Sequence, residues 1–256
     1  MFRRDFEAKF GVTVTALASV ATIFLLLPVL FVVLHSFSPT RYFQWPPHGF
    51  SLEWHQKFYS SEMFMNAARN SFLMALIVTP LSLTIGIPAS YALVRSEFKG
   101  NAIVQQIILS PLIIPGVVTG VSLLSLLSAA GMRIGLFGLC LGMLVFALPF
   151  SIRALSANLL GLDPRIEEAA RNLGAGLVRT FFSIVLPQLK SGILAASVFV
   201  FVEALDNFSI AVFLTNDSTK VLPVAAYQYI KDFDDPTVAA MATALIVMSV
   251  VIVAFL

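Results

Sequence analysis

Long stretches without a charged side chain constrain this chain more than any other feature. Asp, Glu, Lys and Arg are absent from residues 10–40, 70–94, 100–132, 134–152 and 236–256. A sixth apolar stretch contains only two acidic residues, Glu203 and Asp206. A helix of roughly 20 apolar residues crosses the hydrocarbon core of a membrane. With 58% hydrophobic and 12% charged residues, the composition excludes an ordinary soluble domain.

The stretches predict an all-α integral membrane protein in which residues 1–256 form a single transmembrane domain. The six predicted spans cover about residues 12–34, 72–94, 107–127, 136–155, 192–214 and 238–256. A more polar loop, about residues 156–190, separates the fourth span from the fifth.

The distribution of Lys and Arg predicts the orientation, because cytoplasmic loops keep more positive charge during insertion. With a cytoplasmic N-terminus, ten of the 16 basic residues fall on the inner side and six on the outer side. We therefore expect the N-terminus and the 156–190 loop in the cytoplasm. Because no basic residues follow the last span, we also expect the natural chain to continue beyond Leu256.

The polar loop has the signals of two short helices. Asp163 can cap a helix that starts at Pro164, since proline has no N–H that needs a partner. Gly174 and Gly176 should end this helix, because glycine tolerates left-handed backbone. A second helix should run from about residue 177 to Pro187. Such a helix on the membrane surface, with small residues at its corner, is typical of a docking element.

The spacing of residues in this loop is specific. The order Glu-Ala-Ala, three residues, Gly, nine residues, Ile, one residue, Leu-Pro is met by Glu168, Ala169, Ala170, Gly174, Ile184, Leu186 and Pro187. It is similar to the cytoplasmic EAA motif of permease subunits in binding-protein-dependent ABC importers. The segments "LSPLIIPGVVTGVSLL", "VFALPFSIRAL" and "ALDNFSIAVFL" resemble the second permease of spermidine/putrescine-type systems.

The resemblance implies the type I importer permease fold, in a bacterial inner membrane. Glu168 to Gly176, including Ala175, would form a coupling helix that sits in a groove of a separate ATPase subunit. The implied partners are an ABC ATPase dimer, a second permease in a heterodimer, a periplasmic or lipid-anchored solute-binding protein, and membrane lipid, with no nucleic acid. ATP and magnesium would bind to the ATPase, and this chain would bind no cofactor or metal and catalyse no reaction.

The implied substrate is a polyamine, putrescine or spermidine. Because the binding protein largely selects the solute, 4-aminobutyrate-like compounds, aminophosphonate, thiamine and ferric iron stay open as alternatives, in that order.

Glu203 and Asp206 are acidic residues inside a predicted span. Spaced by three, they share a helix face, and each costs about 2.5 to 3.5 kcal/mol to insert, so they should face a cavity or a partner. With Asn207 they could form a polar stripe along which a cationic substrate passes. In the closest spermidine-type relatives we would expect a second acid where Asn207 stands. A structural hydrogen-bonded or ion-paired role is weighed equally.

Other function classes fit the sequence less well. The chain has no G-x-x-x-x-G-K-[ST], H-E-x-x-H or G-x-S-x-G motif, and its single cysteine, Cys140, is read as a packing residue. An intramembrane enzyme would need a catalytic cluster that the sequence lacks. An ion-coupled secondary transporter using Glu203 and Asp206 stays open as the alternative, although no internal repeat supports it.

Overall fold

The computed structural model describes residues 2–42, 44, 49–132 and 134–254. Every regular element in these residues is a helix. The helices are α1 (Phe2–Ser36), α2 (Glu53–Ser60), α3 (Glu62–Arg95), α4 (Asn101–Ile113), α5 (Gly116–Ala129), α6 (Leu136–Leu160), α7 (Pro164–Asn172), α8 (Leu177–Thr180), a π-helix (Phe181–Val185), α9 (Leu186–Gln188), α10 (Lys190–Asp206), α11 (Phe208–Leu214), α12 (Leu222–Asp232) and α13 (Thr237–Ala254).

Three helices among the described residues are long and apolar enough to cross a membrane, namely Thr13–Ser36, Glu62–Arg95 and Leu136–Leu160. Two further candidates are bent pairs. The pair α4 and α5 bends by 103°, and the segment Leu177–Gln188 bends by 70° against α10. A shorter apolar helix covers Thr237–Val251. Each of the six predicted spans thus falls on helical sequence, and the end of the last one, residues 255 and 256, lies outside the described residues.

Two of the predicted spans are interrupted. The stretch 107–127 divides at Ile114 and Pro115, where proline has no N–H to continue the ladder of helical hydrogen bonds. The stretch 192–214 divides at Asn207, which has extended backbone and accepts a bond from the backbone N–H of Ile210 through its side chain at 3.0 Å. An asparagine in this role caps the start of a new helix.

The chain forms two compact units. The first comprises Met1–Glu62 and Tyr229–Val251. In it, α2 buries Trp54 and Phe58, and the Trp54 indole N–H donates to the Ser38 carbonyl at 2.7 Å. The Lys57 ammonium donates to the Asp235 carboxylate at 2.6 Å. These contacts hold the short surface helix α2 against its own unit.

The second unit comprises Met63–Gln228 and Ile252–Leu256, with α6 at its centre. Leu139, Met143, Ala147 and Leu155 of α6 are fully buried, and α6 packs against α4, α5, α10 and α11. Helix α3 also reaches α6, because the Ser82 hydroxyl donates to the Ser151 hydroxyl at 2.9 Å. Next to it, a Cβ on Gly86 would lie 2.6 Å from the Ser151 hydroxyl oxygen, so the two helices approach closely.

Candidate functional site

Residues 163–187, which we call the docking segment, contain the predicted coupling motif. Helix α7 starts as the sequence predicts, with Pro164 in its first turn and the Asp163 carboxylate accepting from the Arg165 backbone N–H at 3.0 Å. The helix ends at Asn172. Gly174 then adopts a φ of +89°, a left-handed conformation that disfavours residues with a Cβ. The glycine therefore fixes where α7 stops.

The second arm of the docking segment is one helical stretch, Leu177–Gln188, with a π-helical centre. Ile184 lies in the π-helix, and Leu186 and Pro187 follow in α9. Pro187 cannot donate to the carbonyl of Ser183 four residues earlier, and its ring crowds that carbonyl. A wider turn accommodates both effects, and it accounts for the π-helix at this place.

One side of the docking segment is uncovered. Glu168, Ala169, Gly174, Gly176 and Pro187 are exposed, and Ala170, Ala175, Ile184 and Leu186 are half-buried. Large apolar side chains accompany the motif, since Leu173 is 90% exposed and Leu177, Val178 and Phe182 are exposed as well. Apolar side chains grouped in this way are typical of a surface that another protein covers.

The opposite side of the docking segment rests on a buried apolar cluster. Leu159 of α6, Val185 of the π-helix and Leu189 are buried together. Tyr91 and Val94 from the end of α3 pack against this cluster. The segment is therefore held on a rigid base while its other face stays free.

An ion pair attaches α7 to α3. The Arg95 Nε–H donates to Oε1 of Glu167 at 2.8 Å, and the Tyr91 hydroxyl donates to Oε2 at 2.8 Å. A second guanidinium N–H of Arg95 donates to the Leu162 carbonyl at 3.0 Å. The side chains of Arg95 and Glu167 are only 16% and 11% exposed. Both carboxylate oxygens thus have partners, as a buried charge requires.

Sequence reasoning missed Tyr91, Arg95 and Glu167. It read Arg95 as a topology signal and did not separate Glu167 from Glu168, which is exposed. The available signal was helical periodicity. Glu167 lies three residues before Ala170, so both belong to one face of α7, and Ala170 is also less exposed than its neighbours.

The polar trio of the predicted substrate path lies at the break between α10 and α11. Glu203 and Asn207 are half-buried, and Asp206 is exposed. The Asn207 side chain caps α11. The trio therefore marks the end of one helix and the start of the next rather than the middle of a continuous span.

The two interrupted spans meet near their breaks. A Cβ on Gly116, the first residue of α5, would lie 2.8 Å from the Ser209 Cβ at the start of α11. A Cβ on Gly120 would lie 3.1 Å from the Ser209 carbonyl oxygen. Gly116 and Gly120 thus allow α5 to approach α11 closely. On the other side of α11, Gly142 of α6 faces Leu214 and Ile210.

Metal-ligating side chains do not gather anywhere in the described part of the chain. No three His, Cys, Asp or Glu residues there are close enough to hold an ion. Cys140, the single cysteine, is buried in α6.

Curated relatives match nearly the whole chain. It is 30% identical over 231 residues to the spermidine/putrescine transport system permease protein PotC of Escherichia coli (strain K12), covering 90% of this chain and 87% of the relative. It is 31% identical over 241 residues to the putrescine transport system permease protein PotI of the same strain, covering 91% and 85%. The molybdate/tungstate transport system permease protein WtpB of Pyrococcus furiosus is 29% identical over 208 residues, covering 81% and 83%.

Solved structures share the fold. A chain of a bacterial ABC transporter that imports the acidic polysaccharide alginate superimposes with a TM-score of 0.71 at 18% identity, covering 95% of this chain and 93% of that one. A chain of the methionine ABC transporter MetNI, in an inward-facing conformation, gives a TM-score of 0.64 at 21% identity, covering 75% and 94%. The fold is therefore that of type I importer permeases.

The family assignment rests on the second to sixth predicted spans and the docking segment together. The model of the family described as "binding-protein-dependent transport system inner membrane component" matches residues 82–256. With the relatives and the fold in agreement, the chain belongs to this family and is a multi-pass membrane permease of the ABC importer class.

Proposed function

We propose that this chain is one of two permease subunits of an ATP-driven importer of polyamines. The observation that carries the proposal is the docking segment, whose Glu167 side is fixed to the helix bundle while Leu173 and Leu177 stay exposed. A surface built in this way suits attachment of a separate subunit that pushes on the bundle as a rigid body. We assign that role to an ABC ATPase dimer, which would bind ATP and magnesium, while this chain would bind no cofactor.

The motif residues divide between contact and support in this proposal. Glu168, Ala169, Gly174 and Gly176 are exposed, so they would face the ATPase groove. Ile184 and Leu186, which are half-buried, would join the segment to its base. Exposure of apolar side chains at Leu173 and Leu177 without a partner would be unfavourable in water.

The family supports two further proposed partners. A second permease would complete the pathway, and we favour a paralogue, which gives a heterodimer. A periplasmic or lipid-anchored binding protein would deliver the solute from the outer side. With a cytoplasmic N-terminus, the docking segment would lie inside the cell, on the side where the ATPase would bind ATP. The family also favours ATP-driven transport over the ion-coupled alternative.

The substrate proposal draws on the names of PotC and PotI and on the charges at the helix breaks. Glu203 and Asp206 bring two carboxylates to the junction of α10 and α11, where Asp206 is exposed. Broken helices near the middle of a membrane commonly line substrate sites. Carboxylates there would attract ammonium groups and repel an oxyanion such as molybdate. Putrescine and spermidine fit this better than an anionic solute, and 4-aminobutyrate-like compounds come next.

Uptake into vesicles tests the proposed function. The full complex with its binding protein is reconstituted, and uptake of labelled putrescine and spermidine is measured with and without internal ATP. Gly174→Asp is the variant that should abolish uptake, since it strains a left-handed turn and adds a charged side chain to the exposed face that would contact the ATPase. Hydrolysis of ATP without polyamine uptake would keep the permease role and reject the substrate. Gradient-driven uptake that needs no ATP would contradict the proposal.

Neutralising Asp206 tests the proposed path. In Asp206→Asn we expect putrescine uptake to fall by about tenfold, which corresponds to a loss of about 1.4 kcal/mol of attraction, with ATPase binding unchanged. Asn207→Ala is the matched variant, because it removes the cap of α11 without changing the charge. If Asp206→Asn transports putrescine as well as the natural protein does, Asp206 has a structural role only.

A further inference from the structure

Helix α3 contacts the docking segment without being its neighbour in sequence. The segment continues directly into α6 on one side and α10 on the other. Its links to α3 are tertiary, through the Arg95 and Tyr91 bonds to Glu167. Tyr91 also meets the π-helix, since its ring lies 5.1 Å from that of Phe181 in an edge-to-face contact. Both arms of the docking segment are thus bound to the end of α3.

The other end of α3 lines a polar cleft within the same unit. The Asn70 amide donates to the carbonyls of Ser218 and Lys220 at 3.1 and 3.0 Å. The Ser71 hydroxyl accepts from the Leu222 backbone N–H at 2.8 Å. The cleft has a volume of about 430 Å³. It is lined by Met63, Asn66, Ala67, Arg69, Asn70 and Leu73 of α3 and by Asp217, Ser218 and Lys220.

Between these ends α3 is one continuous helix with a face that is buried from Phe64 to Leu93, and it approaches α6 closely. The helix runs through Pro80 and Pro88 without interruption. Its contact with α6 at Ser82 and Gly86 lies near the middle of the distance from Asn70 to Arg95. With a rise of 1.5 Å per residue, that distance is about 37 Å. Because the helix is continuous and is bound at both ends, a displacement of one end is passed to the other.

We infer that α3 is the lever that links the docking segment to the polar cleft, and that Tyr91 and Arg95 are the positioning residues that bind the segment to it. The inference rests on the proposed function, because it assumes that an ATPase moves the docking segment. A displacement of α7 would then reach the loop around Ser218 and Lys220 through α3, and the cleft would open or close with the ATPase cycle. Coupling of this kind is reciprocal, so occupancy of the cleft side would also influence the ATPase.

A purely structural role for the ion pair makes a different prediction. If Arg95 only stabilises the fold, its loss lowers the amount of assembled complex but leaves each assembled complex fully coupled. If Arg95 transmits motion, the response of the cleft to ATP falls in complexes that are assembled. The experiment must therefore read the cleft itself in purified complexes of equal stoichiometry.

Labelling of a cysteine in the cleft provides that readout. Asn66 is exposed and lines the cleft, so Asn66→Cys is introduced with Cys140→Ser, and the labelling rate is measured with and without ATP and vanadate. In the otherwise natural complex we expect a clear ATP-dependent change. In Arg95→Gln that change should shrink at least about fivefold, the lower end of typical coupling between sites. Lys99→Gln is the matched control, since Lys99 is an exposed basic residue four positions further along, and it should keep the full change.

Three further variants keep the test decisive. The exchange Arg95→Glu with Glu167→Arg should restore at least half of the ATP-dependent change, and Tyr91→Phe should weaken it less than Arg95→Gln. If the Arg95→Gln complex does not assemble, the ATP-dependent change in labelling is measured in Arg95→Lys and Tyr91→Phe instead. An unchanged response in the assembled variants would overturn the lever. If the complex with Arg95 and Glu167 in place shows ATP-driven uptake but no ATP-dependent change in labelling, the lever is also rejected. If that complex shows neither ATP-driven uptake nor a change in labelling, the proposed function is rejected instead.

Discussion

Two ion pairs hold short helices in this chain, and they are built in opposite ways. Arg95 and Glu167 bind α7 with side chains that are 16% and 11% exposed. Lys57 and Asp235 bind α2, but the lysine side chain is 45% exposed and only the aspartate is buried, at 7%. Each pair joins residues far apart in sequence, yet only the first removes both charges from solvent.

The two pairs also differ in the hydrogen bonds that the carboxylate would keep if the basic residue were removed. Without Lys57, Asp235 would still accept from the Tyr229 hydroxyl, the Thr237 hydroxyl and the Thr237 backbone N–H. Without Arg95, Glu167 would keep the Tyr91 hydroxyl alone among the side-chain partners described above. A buried charge that loses its main partner is costly. Asp235 is buried as well, but it would keep three donors where Glu167 would keep one. The comparison indicates that the first pair fixes a geometry and the second only fastens a surface helix.

Matched substitutions give the largest expected difference. In Arg95→Met and Lys57→Met a straight apolar chain replaces a basic one, so the stem is kept and the charge is lost. We expect a loss of about 3 to 5 kcal/mol of stability for Arg95→Met and a smaller loss of about 1.5 kcal/mol for Lys57→Met, because Asp235 keeps its other donors. Thermal unfolding of the purified complex measures both. Equal decreases in Tm would show that burial does not distinguish the pairs.

Substitution of the glycines that follow α7 should have a smaller effect on stability. Gly174 has a φ of +89° and Gly176 has a φ of −68°, and a Cβ would have open space at both positions. Gly174→Ala should therefore cost about 1 kcal/mol through backbone strain alone, while Gly176→Ala should cost nothing.

Hydrogen exchange of the α7 amides is the measurement for this pair of glycine variants. We expect several-fold faster exchange in Gly174→Ala and unchanged exchange in Gly176→Ala. If both variants exchange alike, the ion pair to Arg95 fixes α7 without help from its C-terminal turn, which would enlarge the contrast with α2.

The smallest expected effect is the pH dependence of the stability that the Lys57–Asp235 pair contributes. Burial alone would raise the pKa of Asp235, but hydrogen bonds from Lys57, Thr237 and Tyr229 outweigh it and lower that pKa to about 2. The bond to Asp235 is the main cause that raises the pKa of Lys57 above its ordinary value of 10.5. Because the pKa of Asp235 is lowered, this carboxylate contributes stability above its ordinary pKa of 3.8. That stability is lost as the pH falls towards 2. Because the pKa of Lys57 is raised, this lysine contributes stability below pH 10.5, and that stability is lost only at higher pH.

The difference in stability between the natural protein and Lys57→Met should therefore be constant between pH 5 and 9. Unfolding followed at several values in this range checks it. A difference that disappears within the range would mean that another group titrates in the pair.

The sequence predicts those parts of the molecule that depend on local chemistry. Uncharged stretches predicted where apolar helices lie, and Asp163, Pro164 and Gly174 predicted where α7 begins and ends, because caps and left-handed glycines act within a few residues. The break at Pro115 falls inside a stretch that was predicted as one span, although its cause is local, since proline stops a hydrogen-bond ladder.

Features that depend on distant contacts were not readable. Asn207 was interpreted as part of a polar stripe, and its capping role became visible only where the helix divides. The bond between Arg95 and Glu167 joins residues separated by 72 positions, and the periodicity of α7 assigns Glu167 to a helix face but does not identify its partner. The substrate role of Glu203, Asp206 and Asn207 stays a prediction.

The central claim is that the exposed face of the docking segment is where a separate ATPase attaches. Photo-crosslinking tests it most directly, with a benzophenone amino acid in place of Leu173, which is 90% exposed, and, as control, in place of Phe50, which is 81% exposed. The account predicts a crosslink from position 173 to the ATPase subunit and none from position 50. Crosslinking to the ATPase from position 50 but not from position 173 would contradict it.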